Sequence, residues 1–433
     1  MATLKLYSSS DMFSFVIRKN PSSGMIAKNI RKGTAFGWFA DSHTYCVAFF
    51  DGIEEMSFAK RRNQEFAFLD RTRYNAPLFL SVAIREFFQT ALKKRNEEQD
   101  IEGGNCFLEI SSVEIGRAGI FQKIKDCFPG FEIEARSLQT GTETVDYSLK
   151  ISTERKTLHE LLNLGYLMGY LLATCCHVEF QVEQSILQRL IEACNLLEAP
   201  YYVRNLIRGG CIHSLEDFRK VENTINGDDG RIKMSPYSNA SARFQWVRNQ
   251  LPRDMDILDF GCGEGRFFSL SARIPSSTYY AVDRDESARE QAKKTALRRE
   301  LENVIVLEDL DSFLQLDTGR EFLVIMSEVF EHNEPGAIRG ELQKLMAYPY
   351  CSQILLSTPN RDFNANYLLQ GGELRHEGHV FEMTAEEVKD YFSKLVQGTE
   401  FSFVISKLGD EVDGVSSTLA VTMTRTDRKG EVE

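Results

Sequence analysis

The spacing of apolar and polar residues changes character partway along the chain, and two kinds of architecture follow from it. Over roughly the first 200 residues, short runs with strand-like alternation fall at Leu4–Tyr7, Phe36–Phe39, Tyr45–Phe50, Phe107–Val113, Phe131–Ala135 and Tyr147–Ile151. Between them, three- and four-residue apolar spacing predicts helices over Leu78–Leu92, Leu158–Cys175 and Glu183–Leu197. A short helix over Gly119–Cys127 is stopped by Pro129-Gly130. This half therefore reads as an α+β module, residues 1–205. From Ile207 to Ser238 the pattern loosens around Gly209-Gly210, Asn226-Gly227 and Asp229-Gly230, so 206–239 is expected to be a linker.

Residues 240–433 have a different texture. Short apolar runs at Ile257–Phe260, Thr278–Val282, Val304–Leu307, Phe322–Met326 and Gln353–Ser357 alternate with helical stretches such as Glu286–Leu301, and a helix is expected to start over Gly265–Ala272. Apolar strands alternating with helices imply a parallel sheet covered on both faces, an α/β fold of Rossmann-like type. Phe401–Ser406 and Ser416–Thr424, around Gly409 and Gly414, are expected to close the chain as an antiparallel hairpin.

A length of 433 residues suits two such domains. The net charge of −12 argues against wrapping long nucleic acid through a bulk positive field, so any nucleic-acid substrate must be gripped locally. Nine scattered cysteines without a C-x-x-C suit free thiols in a reducing compartment. The first residues lack a basic stretch followed by an apolar run, and Leu161–Cys176 is too short to span a bilayer, so a cytoplasmic protein without membrane contact is expected.

Two segments carry chemistry. Asp256 to Gly265 places Gly261, Gly263 and Gly265 directly after an apolar strand, where the missing Cβ atoms permit a tight turn and a close-lying ligand. Asp283, ending the next strand, stands where an adenosine ribose would present its hydroxyls. Carboxylates at Asp259 and Glu264 disfavour a pyrophosphate and favour the sulfonium and ammonium of S-adenosylmethionine. Further on, the Phe322–Met326 strand runs into Glu328, Glu331 and His332, and a loop beyond it carries His376, His379 and Glu382. If Glu328, Glu331 and His332 shared a helical turn, their side chains would share a face. Two carboxylates with one or two imidazoles make a divalent site suited to Mn²⁺ or Fe²⁺, with Mg²⁺ as an alternative. A metal there would acidify a ribose hydroxyl, and coordination through a vicinal 2′,3′-diol would select a free RNA 3′ end.

Glu328-Val-Phe-Glu-His332, Ser357-Thr-Pro-Asn-Arg-Asp-Phe-Asn364 and Leu374-Arg-His-Glu-Gly-His-Val-Phe-Glu-Met-Thr384 closely resemble the signatures of the small-RNA 3′-terminal ribose 2′-O-methyltransferases, the HUA-enhancer family. The resemblance implies a class I methyltransferase domain using S-adenosylmethionine. It implies Glu328, Glu331, His332 and His379 as metal ligands, with His332 also a candidate base. Arg375, His376 and the Thr358-Pro359-Asn360 loop would then belong to the RNA end and cofactor pocket, His376 joining His332 among the catalytic candidates and Arg375, Thr358 and Asn360 contacting RNA. Phe15-Val-Ile-Arg-Lys-Asn-Pro21 and the stretch from Tyr74 to Leu92 are similar to the amino-terminal module of the family's bacterial branch. That likeness implies partnership with a polynucleotide kinase-phosphatase and an RNA ligase in RNA repair. Where the family usually carries Asp and Trp, this chain has Gly378 and Met383, so His379 is expected to be less firmly oriented. The competing readings are a scaffold and ligase activator with a decayed methyltransferase half, and a small-molecule O-methyltransferase.

Overall fold

A computed structural model describes residues 3–30, 33–51, 58–59, 68–69, 77–138, 146–176, 182–227 and 229–426. The chain divides into two compact units, Met1–Asp228 and Asp229–Glu433. The Tyr74–Leu92 signature enters the described residues at Pro77.

The first unit is built on a seven-stranded antiparallel sheet, in the order Ile26–Ile30, Gly33–Asp41, Thr44–Asp51, Thr3–Ser8, Cys106–Glu114, Asp146–Thr153, Glu132–Leu138. The Ile26–Ile30 strand escapes the apolar pattern because Lys28 and Asn29 interrupt it. The Leu158–Cys175 helix is buried along nearly its whole length. Its start is fixed by a capping box between Thr157 and Glu160, and by the Asp100 carboxylate accepting the Leu158 and His159 amides at 2.9 Å each. A Cβ at Gly169 would collide with Ser81 of the Leu78–Lys93 helix, so glycine there allows the two helices to touch.

The expected linker is not one. Residues 201–225 form two amphipathic helices, Tyr201–Cys211 and Leu215–Ile225, which bury Val203, Ile207, Phe218 and Val221. Gly209 and Gly210 end the first of these rather than breaking it. At Gly210 the missing Cβ leaves room for Thr174, so close packing, not chain flexibility, explains the glycine.

The second unit is an eight-stranded sheet ordered Ile232–Lys233, Phe401–Val412, Val415–Arg425, Cys351–Pro359, Phe322–Ser327, Asp256–Phe260, Tyr279–Val282, Val304–Leu307. The last five strands in that order run parallel, and Val415–Arg425 joins Cys351–Pro359 antiparallel. The expected hairpin is present and longer than its apolar runs, turning at Asp413 and Gly414, both at positive φ. Helices Asn239–Gln250, Glu286–Arg298, Pro335–Ala347 and Ala385–Val396 accompany the sheet. Chain order reverses between Asp256–Phe260 and Phe322–Ser327, so the carboxyl ends of those strands open a crevice. None of the described helices is long and apolar enough to cross a membrane, and all nine cysteines are free thiols.

Candidate functional site

The crevice at the strand ends holds a cavity of about 600 Å³ lined by Phe260, Gly261, Val282, Asp283, the Glu308–Asp311 loop, Glu328, Val329 and His332, among others. Gly261 turns there with φ +77°, and a Cβ on it would overlap Val329 from the neighbouring strand end. Glycine is therefore needed twice, for the left-handed backbone and for the close approach of the two segments. Gly263 donates its amide to Asp283 Oδ2 at 2.8 Å, and Asp285 donates to Oδ1 at 2.9 Å. These bonds fix the Asp283 carboxylate at the cavity wall. Gly265, φ +83°, packs against the Phe268 ring, and the expected helix start is instead a 3₁₀ turn over Phe268–Arg273.

Asp259 does not line the cavity. It is buried and accepts the Tyr279 hydroxyl at 2.8 Å, and burial pushes its pKa up to about 7. Glu264 is not on the wall either. The acidic character expected of this pocket comes from other side chains: Asp283, Asp285, Glu308, Asp309, Asp311, Glu328 and Glu341, against one arginine, Arg284. A cationic ligand suits such a lining and a pyrophosphate does not. The sequence signal for this acidity lay in Glu308-Asp-Leu-Asp311, immediately after the Val304–Leu307 strand.

Beside the cavity lie the two acids. Glu328 follows the Phe322–Ser327 strand with φ +57°, outside any helix, and a single 3₁₀ turn, Phe330–His332, comes after it. The shared helical face expected for Glu328, Glu331 and His332 therefore does not form. The turn is pinned from below by the fully buried Phe330 ring, packed against Phe381, Tyr391 and Phe392. It is also tied to the second motif, because Val380 donates its amide to the Glu331 carbonyl at 2.8 Å.

Glu331 is fully buried, with Oε2 accepting the Thr358 hydroxyl at 3.0 Å and Oε1 without a hydrogen-bond partner. Glu328 lies 3.3 Å from the Arg243 guanidinium through Oε2, and its Oε1 is likewise buried and unpartnered. Burial raises both carboxyls. Glu331 is pushed up to about 8 by desolvation and then by the charge of Glu328, while Arg243 opposes the rise at Glu328.

The three imidazoles of His332, His376 and His379 bring ligand-capable nitrogens within 4.8 Å of one another. His332 Nδ1 donates to the Gly378 carbonyl at 2.8 Å, and His379 Nδ1 donates to Glu382 Oε1 at 2.6 Å. In their neutral forms both rings therefore present a bare Nε2. Burial lowers the pKa of His379 and favours that neutral form. His376 differs: its Nδ1 accepts the Gly378 amide at 3.0 Å, so its neutral ring carries the proton on Nε2. The two carboxylates stay outside the imidazole group, so the four expected ligands are not drawn to one point. Each carboxylate has its own partner instead, Thr358 on Glu331 and Arg243 on Glu328.

The loosened His379 expected from Gly378 is not observed. Glu382, left without a role in the sequence reading, orients it, and itself accepts the Asn364 side-chain amide at 2.6 Å and the Arg375 backbone amide at 2.8 Å. Arg375, Thr358 and Asn360, expected at the RNA end, are committed to the protein. The Arg375 guanidinium donates to Asn364 Oδ1 and to the Ser417 and Asn360 carbonyls. The Asn360 side chain donates to the Ser416 carbonyl and accepts the Asp362 amide, and Thr358 serves Glu331. Thr358 thus contacts Glu331 directly, while the bonds of Arg375 and Asn360 tie their loops to the last strand. Two orphaned carboxylate oxygens and two bare imidazole nitrogens are donors of the kind a divalent cation takes, and a side-chain shift would have to bring the carboxylates to the imidazoles.

The family model for the Hen1 N-terminal domain matches residues 3–230, and a model for a methyltransferase domain matches residues 237–395. A small RNA 2′-O-methyltransferase of Drosophila melanogaster is 30% identical over 164 residues, covering 33% of this chain and 40% of that protein. One of Arabidopsis thaliana is 28% identical over 189 residues, covering 38% of the chain and 20% of that protein. The chain thus spans less than half the length of either curated relative. A solved structure of the Pnkp1/Rnl/Hen1 RNA repair complex contains a chain that superimposes with a TM-score of 0.78 at 21% identity, over 98% of this chain and 100% of that one, a likeness of fold. With more than half of its length matched by one family model, the chain belongs to the family defined by the Hen1 N-terminal domain, and a Rossmann-like methyltransferase domain follows that module.

Proposed function

We propose that this protein transfers a methyl group from S-adenosylmethionine to the 2′-hydroxyl of the 3′-terminal ribose of RNA, with a divalent cation, Mn²⁺ or Mg²⁺, at the acid–imidazole cluster. The observation that carries the reading is the pair of buried, unpartnered carboxylate oxygens on Glu328 and Glu331 beside the bare Nε2 atoms of His332 and His379, at the edge of an acidic cavity.

Glu328, Glu331, His332 and His379 would hold the cation, which lowers the pKa of a hydroxyl bound to it. The Asp283 carboxylate accepts the cofactor's ribose hydroxyls, and the acidic wall favours its sulfonium. The 2′-oxygen attacks the methyl carbon as the carbon–sulfur bond breaks, and S-adenosylhomocysteine leaves. His332 has one open nitrogen, so it serves as ligand or base but not both. The exposed His376, held by one backbone amide, takes the proton after a half-turn of its ring frees Nδ1.

Partnership with a kinase-phosphatase and a ligase belongs to the same proposal, supported by the matched N-terminal module and by the fold of the chain in the Pnkp1/Rnl/Hen1 complex. Incubation with S-adenosylmethionine, Mn²⁺ and an RNA ending in a 2′,3′-diol is expected to give a periodate-resistant end. A periodate-sensitive product, or equal methylation of a 2′-deoxy end, rejects the proposal.

A further inference from the structure

His332, His376 and His379 form a group that neither glutamate enters. The ring centre of His332 lies 4.7 Å from that of His379 and 5.9 Å from that of His376, and the last two lie 5.6 Å apart. Three imidazoles on one tetrahedral cation, each bonded at about 2.0–2.1 Å, put their ring centres about 5 Å apart. The rings therefore already have this separation and need to turn more than travel. Gly378, one of the two departures from the resembled family, makes room for them. A Cβ on it would stand 3.1 Å from His376 Nδ1 and 3.2 Å from His332 Nδ1, close enough to push a ring aside. His332 and His379 each offer a bare Nε2, because Nδ1 donates to the Gly378 carbonyl and to Glu382. His376 is exposed, and only the Gly378 amide holds its Nδ1.

We propose that these three imidazoles form a second metal arrangement, a three-histidine site for Zn²⁺ or Co²⁺ that shares His332 and His379 with the acid–imidazole set and takes His376 in place of both glutamates. For the shared pair this rests on the metal reading given above. Mn²⁺ and Mg²⁺ favour carboxylate oxygen, whereas Zn²⁺ and Co²⁺ suit imidazole nitrogen. The two arrangements also differ in what has to move. Glu331 and Glu328 are held outside the histidine group by Thr358 and Arg243, each through Oε2. A cation on the three rings leaves both of those bonds intact and breaks one, from the Gly378 amide to His376. Three protein ligands leave a fourth position for water. Because His332 and His379 serve one ion at a time, Zn²⁺ and Mn²⁺ exclude each other. His376, once a ligand, cannot take the proton of a ribose hydroxyl, so the three-histidine state is an unproductive one.

The test titrates the metal-free full chain with Mn²⁺, Zn²⁺ and Co²⁺ chlorides. Free Mn²⁺ is read from its spin-resonance signal, and bound Co²⁺ from its visible absorption, which is strong when four-coordinate and weak when six-coordinate. In the wild type, Co²⁺ should give the strong band, and Zn²⁺ should release bound Mn²⁺ one for one. His376→Ala should lose the band and weaken Co²⁺ binding by about tenfold or more, while Mn²⁺ affinity stays within about twofold. Glu331→Gln should do the reverse, weakening Mn²⁺ by about tenfold or more and leaving the Co²⁺ band in place. A six-coordinate Co²⁺ spectrum in the wild type, an unchanged band in His376→Ala, or equal loss of Mn²⁺ and Co²⁺ in either variant overturns the site, even if the Mn²⁺-loaded wild type methylates RNA. If no RNA is methylated but the Co²⁺ band is present and depends on His376 and not on Glu331, the three-histidine site stands and the assigned reaction falls.

Discussion

Replacing Glu382 separates a structural from a metal-orienting role, because one buried carboxylate receives three donors: His379 Nδ1 at 2.6 Å, the Asn364 side-chain amide at 2.6 Å and the Arg375 backbone amide at 2.8 Å. Glu382→Ala leaves all three without an acceptor. A buried unsatisfied donor costs about 1–3 kcal/mol, and water entering the vacated space recovers part of it, so a loss near the low end, about 3 kcal/mol in all, is expected. Glu382→Gln keeps an oxygen for His379 and Arg375 and turns an N–H₂ toward Asn364, which costs about 1–2 kcal/mol. The metal reading separates the two roles further. Without the carboxylate's charge His379 is less basic, and in Glu382→Ala its tautomer is no longer fixed either, so metal affinity should fall about 10- to 100-fold in Glu382→Ala and by less in Glu382→Gln. Urea unfolding measures the first quantity and calorimetric titration with Mn²⁺ the second. If Glu382→Ala stays folded and binds Mn²⁺ as the wild type does, Glu382 does not orient a ligand and the donor set is wrong.

Three further outcomes follow from the same geometry. The Glu331 carboxyl, raised to about 8, is largely protonated at neutral pH, so a divalent cation must expel that proton. Metal affinity should therefore rise with pH by about tenfold per unit per proton released, levelling off above pH 8, whereas the metal-free protein loses stability as pH climbs through the same value; calorimetry in buffers of different ionisation heat counts the proton, and a pH-independent affinity between pH 6 and 8 contradicts the account. Gly261→Ala forces a side chain into φ +77° and against Val329, so S-adenosylmethionine binding and thermal stability should both drop, by about 1–3 kcal/mol in stability; wild-type cofactor affinity in this variant means the strand ends are not closely apposed. Phe330→Ala removes a fully buried ring from among three others and should cost about 3–5 kcal/mol in urea unfolding; a loss under about 1 kcal/mol would show that the turn bearing Glu331 is held by other contacts.

The strands of the methyltransferase half were legible because they are short continuous apolar runs, those at Ile257–Phe260 and Phe322–Met326 being buried on both faces. Ile257–Phe260, Val304–Leu307 and Phe322–Met326 depart from the observed strands by a residue or less at either end. Leu158–Cys175 was equally plain, its capping Thr157 and Glu160 marking the start. The helices at 201–225 were not, because Gly209 and Gly210 read as breakers until Thr174 is seen opposite Gly210. Within the site, the glycine turn and the Glu328–His332 segment could be read from local order, since strand, turn and chemistry are adjacent in the chain. The partners of those residues could not. Arg243 lies 85 residues from Glu328, and whether Glu382 or another group would reach His379 depended on how the loop from Arg375 to Val380 folds back onto the Glu331 carbonyl.

That division also holds for Arg375, Thr358 and Asn360, whose side chains bond to partners distant in sequence. An unpaired charge in a poorly solvated place is costly, and the Glu331 carboxyl, buried with a single hydroxyl donor, avoids that cost by holding its proton. Thr358 donates directly to Glu331, and the bonds of Arg375 and Asn360 lock the loop behind it to the last two strands. Polar residues gathered in sequence near the acid–imidazole cluster therefore hold it in place.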